Sequence, residues 1–77
     1  MQELLQTIVA GLVEDPSAIA ITKDAPNEEG VIVYHLHVAA DDMGRVIGKQ
    51  GRIARAIRII MRSGAAKSNQ KIAVEID

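Results

Sequence analysis

The residues best placed to do chemistry form a tight group near the middle of the chain. Gly48 and Gly51 stand three apart, enclosing Lys49 and Gln50, and Arg52 follows directly. An apolar and basic run, Met43 to Ile47, precedes them, and a longer apolar pattern at helical spacing follows. Glycine at both ends of a tight helix-to-helix turn removes the Cβ atoms that would hold another backbone away, and it permits positive φ. A sugar-phosphate chain can therefore lie against the loop. Its anionic oxygens would face the free N–H groups and positive dipole end of the second helix, with Lys49 and Arg52 supplying full charge. The spacing points to a clamp for a nucleic-acid backbone.

A bare GxxG is weak on its own, since two glycines three apart arise by chance about one time in three in a short chain with this many glycines. Context raises it: Val46 and Ile47 lie immediately before, a lysine lies inside, Arg52 lies immediately after, and an amphipathic helix follows. Competing phosphate motifs fail. A Walker A loop needs Gly-x4-Gly-Lys followed by Ser or Thr, whereas Gln50 follows Lys49 and Gly44 and Gly48 are too close; no GxGxxG exists. The stretch VIGKQGRIARAI, residues 46–57, closely resembles the signature of KH domains, whose GXXG loop clamps the backbone of about four single-stranded nucleotides.

Other constellations carry less. His35 and His37 share a strand face, but with no cysteine and no third ligand at useful spacing they read as part of a solvated open sheet face, not a metal site. The acidic pairs Glu14-Asp15, Glu28-Glu29 and Asp41-Asp42 flank turns and helix ends, where carboxylates serve as caps. No Ser-His-Asp or comparable catalytic set is present, and nothing calls for a cofactor.

The chain has 77 residues, 48% of them hydrophobic, enough for one domain spanning 1–77 with one modest core and too few for a cleft-bearing enzyme. The absence of cysteine fits a reducing cytosol. Met1-Gln2-Glu3 lacks a signal-peptide start and no apolar run approaches the length of a membrane span, so a soluble cytoplasmic protein is expected. The net charge of −1 hides a segregation. Arg45, Lys49, Arg52, Arg55, Arg58, Arg62, Lys67 and Lys71 are the charged residues between Met43 and Val74, whereas residues 1–42 hold eight acids and only Lys23. Such a basic half is the footprint of a phosphate binder. With Tyr34 the only aromatic residue, stacking platforms like those of RRM or cold-shock folds are not expected.

The elements that position the loop can be read in order. Residues 2–14 carry Leu4, Leu5, Ile8, Val9, Leu12 and Val13 at helical spacing, and Asp15-Pro16 ends the helix. Ser17 to Lys23 alternates as a short strand, with Ile19 and Ile21 on one side. Asp24 to Gly30 reads as a hairpin loop, and Val31 to Ala39 is the strongest strand, with Ile32, Tyr34, Leu36 and Val38 on one face. A turn of helix from Asp42 to Ile47, capped by Asp41 or Asp42, leads into the loop. The long helix runs to about Ser63 with Gly64 as its stop, Ala65 to Gln70 forms a loop, and Lys71 to Ile76 is a last strand with Ile72, Val74 and Ile76 inward.

On the long helix, Arg52, Arg55, Arg58 and Arg62 fall within about one third of the circumference. The stripe extends a phosphate path, with Lys49 and Arg52 foremost; Arg58 and Arg62 lie far enough along to serve only as solvating charge. Apolar residues cover more than half of the same helix. Ala54, Ile57 and Met61 form one flank, Ile53, Ala56 and Ile60 the next, and Ile59 lies on the basic side. By KH spacing the first flank packs on the sheet. The second is either covered by the first helix or is a partner surface, for which a two-fold dimer is the simplest cover.

The order α-β-β-α-α-β resembles the type II KH arrangement, an α+β fold in which a three-stranded sheet is covered on one face by three helices. That resemblance implies non-catalytic binding of single-stranded RNA. Gly48, Lys49, Gln50 and Gly51 would hold the backbone with help from Arg45 and Arg52, and the bases would rest on Val46, Ile47 and Ile53 beside a strand edge near Val38 and Ala39. The compact length, the segment DMGRVIGKQGR and the final strand are similar to the small bacterial KhpA family. Similarity to that family implies a homodimer or a pairing with a second KH-containing protein of the KhpB (Jag) type, a role as RNA chaperone or post-transcriptional regulator, and a link to cell-wall homeostasis and cell shape. Two other functions fit the same fold: a protein-pairing module working through Ile53 and Ile60, and a ribosome-associated or RNA-processing factor.

Overall fold

The computed structural model describes residues 1–76. The chain folds as α1 (Gln2–Ala10), β1 (Ala20–Lys23), β2 (Val31–His37), α2 (Met43–Ile47), α3 (Arg52–Lys67) and β3 (Lys71–Ile76), with 3₁₀ turns at Pro16–Ala18, Ala40–Asp42 and Lys49–Gly51. The α+β order is the one read from the sequence. The sheet order is β1-β2-β3, so β2 is central, antiparallel to β1 (Ile21 opposite Leu36) and parallel to β3 (Tyr34 opposite Val74).

Alternation in the strands sends one set of side chains to the helices. Tyr34 and Leu36 from β2 and Ile72 and Val74 from β3 are buried with Leu5 and Val9 of α1, Val46 of α2, and Ile57, Met61 and Ala65 of α3. The α3 flank at Ala54, Ile57 and Met61 therefore faces the core, as the helical projection requires. Val38, just past β2, is also fully buried.

β2 ends at His37, not at Ala39, and four further differences from the sequence reading have a local reason. α1 ends at Ala10, not at residue 14: the backbone N–H groups of Glu14 and Asp15 bond to the Asp42 carboxylate and not to helical carbonyls (both 3.1 Å). The first strand begins only at Ala20, because Pro16–Ala18 winds into a 3₁₀ turn with proline at its start. Asp42 precedes α2 without a side-chain bond to that helix's backbone, since its carboxylate is committed to residues 14 and 15. α3 continues past Gly64 to Lys67. Gly64 is where α1 crosses closely: a Cβ there would lie 3.0 Å from Met1 Cε and 3.4 Å from Leu4 Cδ2. The true stop is Asn69, at φ 57°, where asparagine tolerates the left-handed region and Gln70 N–H closes back to the Ala65 carbonyl (2.8 Å).

Candidate nucleic-acid interface

α2 is a single short turn of helix whose end is sharply defined. Gly48 N–H donates to the Gly44 carbonyl (2.8 Å), and Gly48 then adopts φ 71°, ψ 176°, a region open only to glycine. The reversal brings α3 back so closely that a Cβ on Gly48 would stand 2.6 Å from Ile53 Cγ1 and 3.0 Å from Ile53 Cβ. Gln50 (φ 57°, ψ 25°) and Gly51 (φ 72°, ψ 17°) follow in left-handed geometry, and Gly51 opens α3. No side chain caps that helix; its first N–H, that of Arg52, donates to the Lys49 carbonyl, and the positive end of a 16-residue dipole faces the turn.

Charge around the loop is unevenly engaged. Lys49 and Arg52 are exposed, as are Arg55, Arg58 and Arg62 further along α3, and among the described residues none of these five forms an ion pair. Arg45 is different. Its Nη2 lies 2.9 Å from Glu14 Oε1, and its Nη1 lies 3.0 Å from Asp42 Oδ1 and 3.1 Å from the Asp41 carbonyl. The chain thus supplies carboxylates on both sides of this guanidinium, which ties α2 to the segment after α1. Asp42 is the buried member, 2% exposed. The backbone N–H of Glu14 is the largest cause holding its carboxyl below the usual value, joined by the N–H of Asp15 and by the charge and hydrogen bond of Arg45, against the opposing effect of burial.

The apolar residues assigned to the site divide. Val46 is fully buried, as is Val38, so neither offers surface to a base; both belong to the core cluster. This corrects the expectation that they form part of an aliphatic floor. Ile47 is exposed, and Ile53 is half-buried against the core beside Gly48. Ala56 and Ile60 are exposed on α3, Ile60 at 45%, so α1 does not cover this flank; it approaches α3 a turn further on, at Gly64.

A feature not foreseen lies on the other side of α3. β3 is an edge strand, and between it and α3 runs a groove lined by Arg58 and Arg62 on one side and by Ile72, Ala73, Val74 and Glu75 on the other. Arg58 Nε donates to the Val74 carbonyl (3.2 Å), so this arginine is fixed against the strand and not merely solvated. The available signal was the four-residue spacing of Arg58 and Arg62; strand order, which makes β3 an edge, could not be read. On the open sheet face, His35 Nε2 lies 2.9 Å from Asp24 Oδ2 and its Nδ1 lies 3.5 Å from Glu75 Oε2. No group of three His, Cys, Asp or Glu residues that could hold a metal ion occurs among the described residues. No helix among the described residues is long and apolar enough to cross a membrane.

Comparison with known proteins agrees with this architecture. The model of the KhpA/KhpB KH domain matches residues 2–76. RNA-binding protein KhpA of Oceanobacillus iheyensis is 46% identical over 76 residues, covering 99% of each chain. RNA-binding protein KhpA of Clostridium acetobutylicum is 45% identical with the same coverage, and that of Listeria monocytogenes is 45% identical over 99% of this chain and 97% of its own.

Proposed function

Because this chain belongs to the KhpA/KhpB family of KH domains, which is not an enzyme family, we propose that it binds single-stranded RNA without catalysis. The observation that carries the proposal is the Gly48–Gly51 turn, whose two positive-φ glycines open a surface at the N-terminal end of α3, beside the charges of Lys49 and Arg52, which form no ion pair among the described residues. Phosphates lie against the turn, Lys49 and Arg52 neutralise them, and Arg45 orients α2 through Asp42 and Glu14. Ile47 and Ile53 give the bases apolar surface, and the groove at Arg58 and Arg62 receives the strand as it leaves the loop.

One such unit holds only about four nucleotides, so affinity for an isolated site is modest and a second unit raises it through effective concentration. The exposed flank of Ile53, Ala56 and Ile60 is the surface proposed for that pairing, with a second copy or a KhpB-type partner. Such pairing suits an RNA chaperone or post-transcriptional regulator in the cytoplasm, and the family resemblance extends this to cell-wall homeostasis and cell shape. A reading in which protein pairing alone is the function predicts RNA affinity unaffected by loop charge.

Titrating RNA oligomers of increasing length at two salt concentrations tests the proposal. Affinity should climb steeply up to about four nucleotides per protomer. Its logarithm should fall with log salt with a slope near −0.7 for each phosphate neutralised, about −1.4 to −2.1 for two or three contacts. Affinity insensitive to salt contradicts a phosphate clamp.

A further inference from the structure

We infer that Gln50 reads the ribose 2′-hydroxyl and gives the loop its preference for RNA over DNA; this rests on the reading that residues 48–51 hold a nucleic-acid backbone. Among the described residues, two that are not glycine adopt positive φ, Gln50 and Asn69. Asn69 is accounted for, because asparagine is tolerated at a helix C-terminus in the left-handed region. Gln50 is not. Its longer side chain lacks the local backbone hydrogen bonds that make asparagine and aspartate tolerable there, and glycine, already used on both sides, would take φ 57°, ψ 25° without strain. Its amide makes no hydrogen bond within the described residues, and the residue is exposed. The side chain thus strains the loop and gains no hydrogen bond among the described residues. A strained residue without an internal partner, at the apex of a binding turn, is compensated by what the turn binds.

The chemistry of the side chain narrows the partner. Along a sugar-phosphate chain the available groups are phosphate, ester and ring oxygens, which only accept, and in RNA the 2′-hydroxyl, which donates and accepts. Lysine or arginine serves a phosphate better than a neutral amide, and Lys49 and Arg52 already flank the position. A carboxamide offers both a donor and an acceptor, which matches the hydroxyl.

The test compares wild type, Gln50→Gly, Gln50→Lys and Lys49→Glu for binding to one short RNA and to DNA of the same base sequence, with thermal melts of each protein. Gln50→Gly should melt no lower than wild type, by relief of the strain, yet lose roughly 3- to 10-fold more affinity for RNA than for DNA, the range of one neutral hydrogen bond. Gln50→Lys should strengthen binding to both without restoring the preference. If Gln50→Gly weakens RNA and DNA equally, or weakens neither while Lys49→Glu weakens both, the inference is overturned and the clamp stands. If wild type fails to bind RNA, or Lys49→Glu binds as wild type does, the clamp itself is overturned and the inference goes with it.

Discussion

Gly48→Ala should be among the most destabilising single-methyl additions available in this chain, for two separable reasons. The first is backbone strain: φ 71°, ψ 176° belongs to a region that L-residues reach at about 1–3 kcal/mol. The second is overlap. The new methyl would meet Ile53 Cγ1 at 2.6 Å and Cδ1 at 2.9 Å, which rotation of that side chain can relieve, and Ile53 Cβ at 3.0 Å, which it cannot. Relief then requires the first turn of α3 to shift from α2, an overpacking cost of about 1–3 kcal/mol. Reduced freedom of the unfolded chain returns about 0.4–1 kcal/mol, leaving a net loss of about 1–6 kcal/mol. A domain of this size has a total stability of roughly 4–12 kcal/mol, so the loss takes a large part of it. Gly51→Ala is the internal control. Gly51 has φ 72°, ψ 17°, and a methyl added there would meet nothing within 4 Å, so only the left-handed cost of about 1–2 kcal/mol applies, less the same entropic return. Urea denaturation of both variants, and of Gly48→Ala/Ile53→Ala, measures the difference. Truncating Ile53 should recover part of the Gly48→Ala loss, a coupling of about 1 kcal/mol. Equal losses for Gly48→Ala and Gly51→Ala, or strict additivity with Ile53→Ala, would refute the close-approach argument.

Three further outcomes follow from the same contacts. Because the Asp42 carboxyl is held below its ordinary value of 3.8, its stabilising contribution is complete above that value and is lost as pH falls through the lower folded one; Asp42→Asn should be less stable at neutral pH and show a shallower loss in acid by urea denaturation. Parallel pH profiles would show that the Glu14 and Asp15 bonds do not depend on its charge. Met61→Ala, which opens a cavity at a fully buried position, should cost about 2–5 kcal/mol in the same assay. Ile60→Asp, on an exposed face, should change stability by no more than about 0.5 kcal/mol and yet abolish any self-association seen by light scattering; an unchanged particle mass would remove Ile60 from the interface.

The element order and the inward faces of β2, β3 and α3 were legible because alternation and helical spacing are local properties: Tyr34, Leu36, Ile57, Met61, Ile72 and Val74 are buried where periodicity places them. The GKQG turn was legible because glycine spacing reports directly on backbone geometry. What escaped depended on distant partners. Asp42 reads as a helix cap until Glu14 and Asp15 arrive from 28 and 27 residues away to take its oxygens. Arg45 reads as a free cation until Glu14, 31 residues away, meets it. Gly64 reads as a helix stop because glycine usually marks one, yet here the missing Cβ admits Met1 and Leu4 at the start of the chain. Val46 sits beside the motif in sequence but points into the core, and the groove under Arg58 and Arg62 exists only because β3 lies at the sheet edge.

Whether residues 48–51 clamp an RNA backbone is decided by short single-stranded RNA binding to wild type and to Lys49→Asp/Gln50→Asp, with sizing and melting of both proteins alongside. Two carboxylates in place of a lysine and an amide put like charge against the phosphates while leaving both glycines of the turn untouched. A phosphate clamp requires a variant of unchanged size and similar stability that has lost RNA binding. A variant that binds RNA as tightly as wild type would contradict the clamp and move attention to the exposed flank of α3 at Ile53 and Ile60.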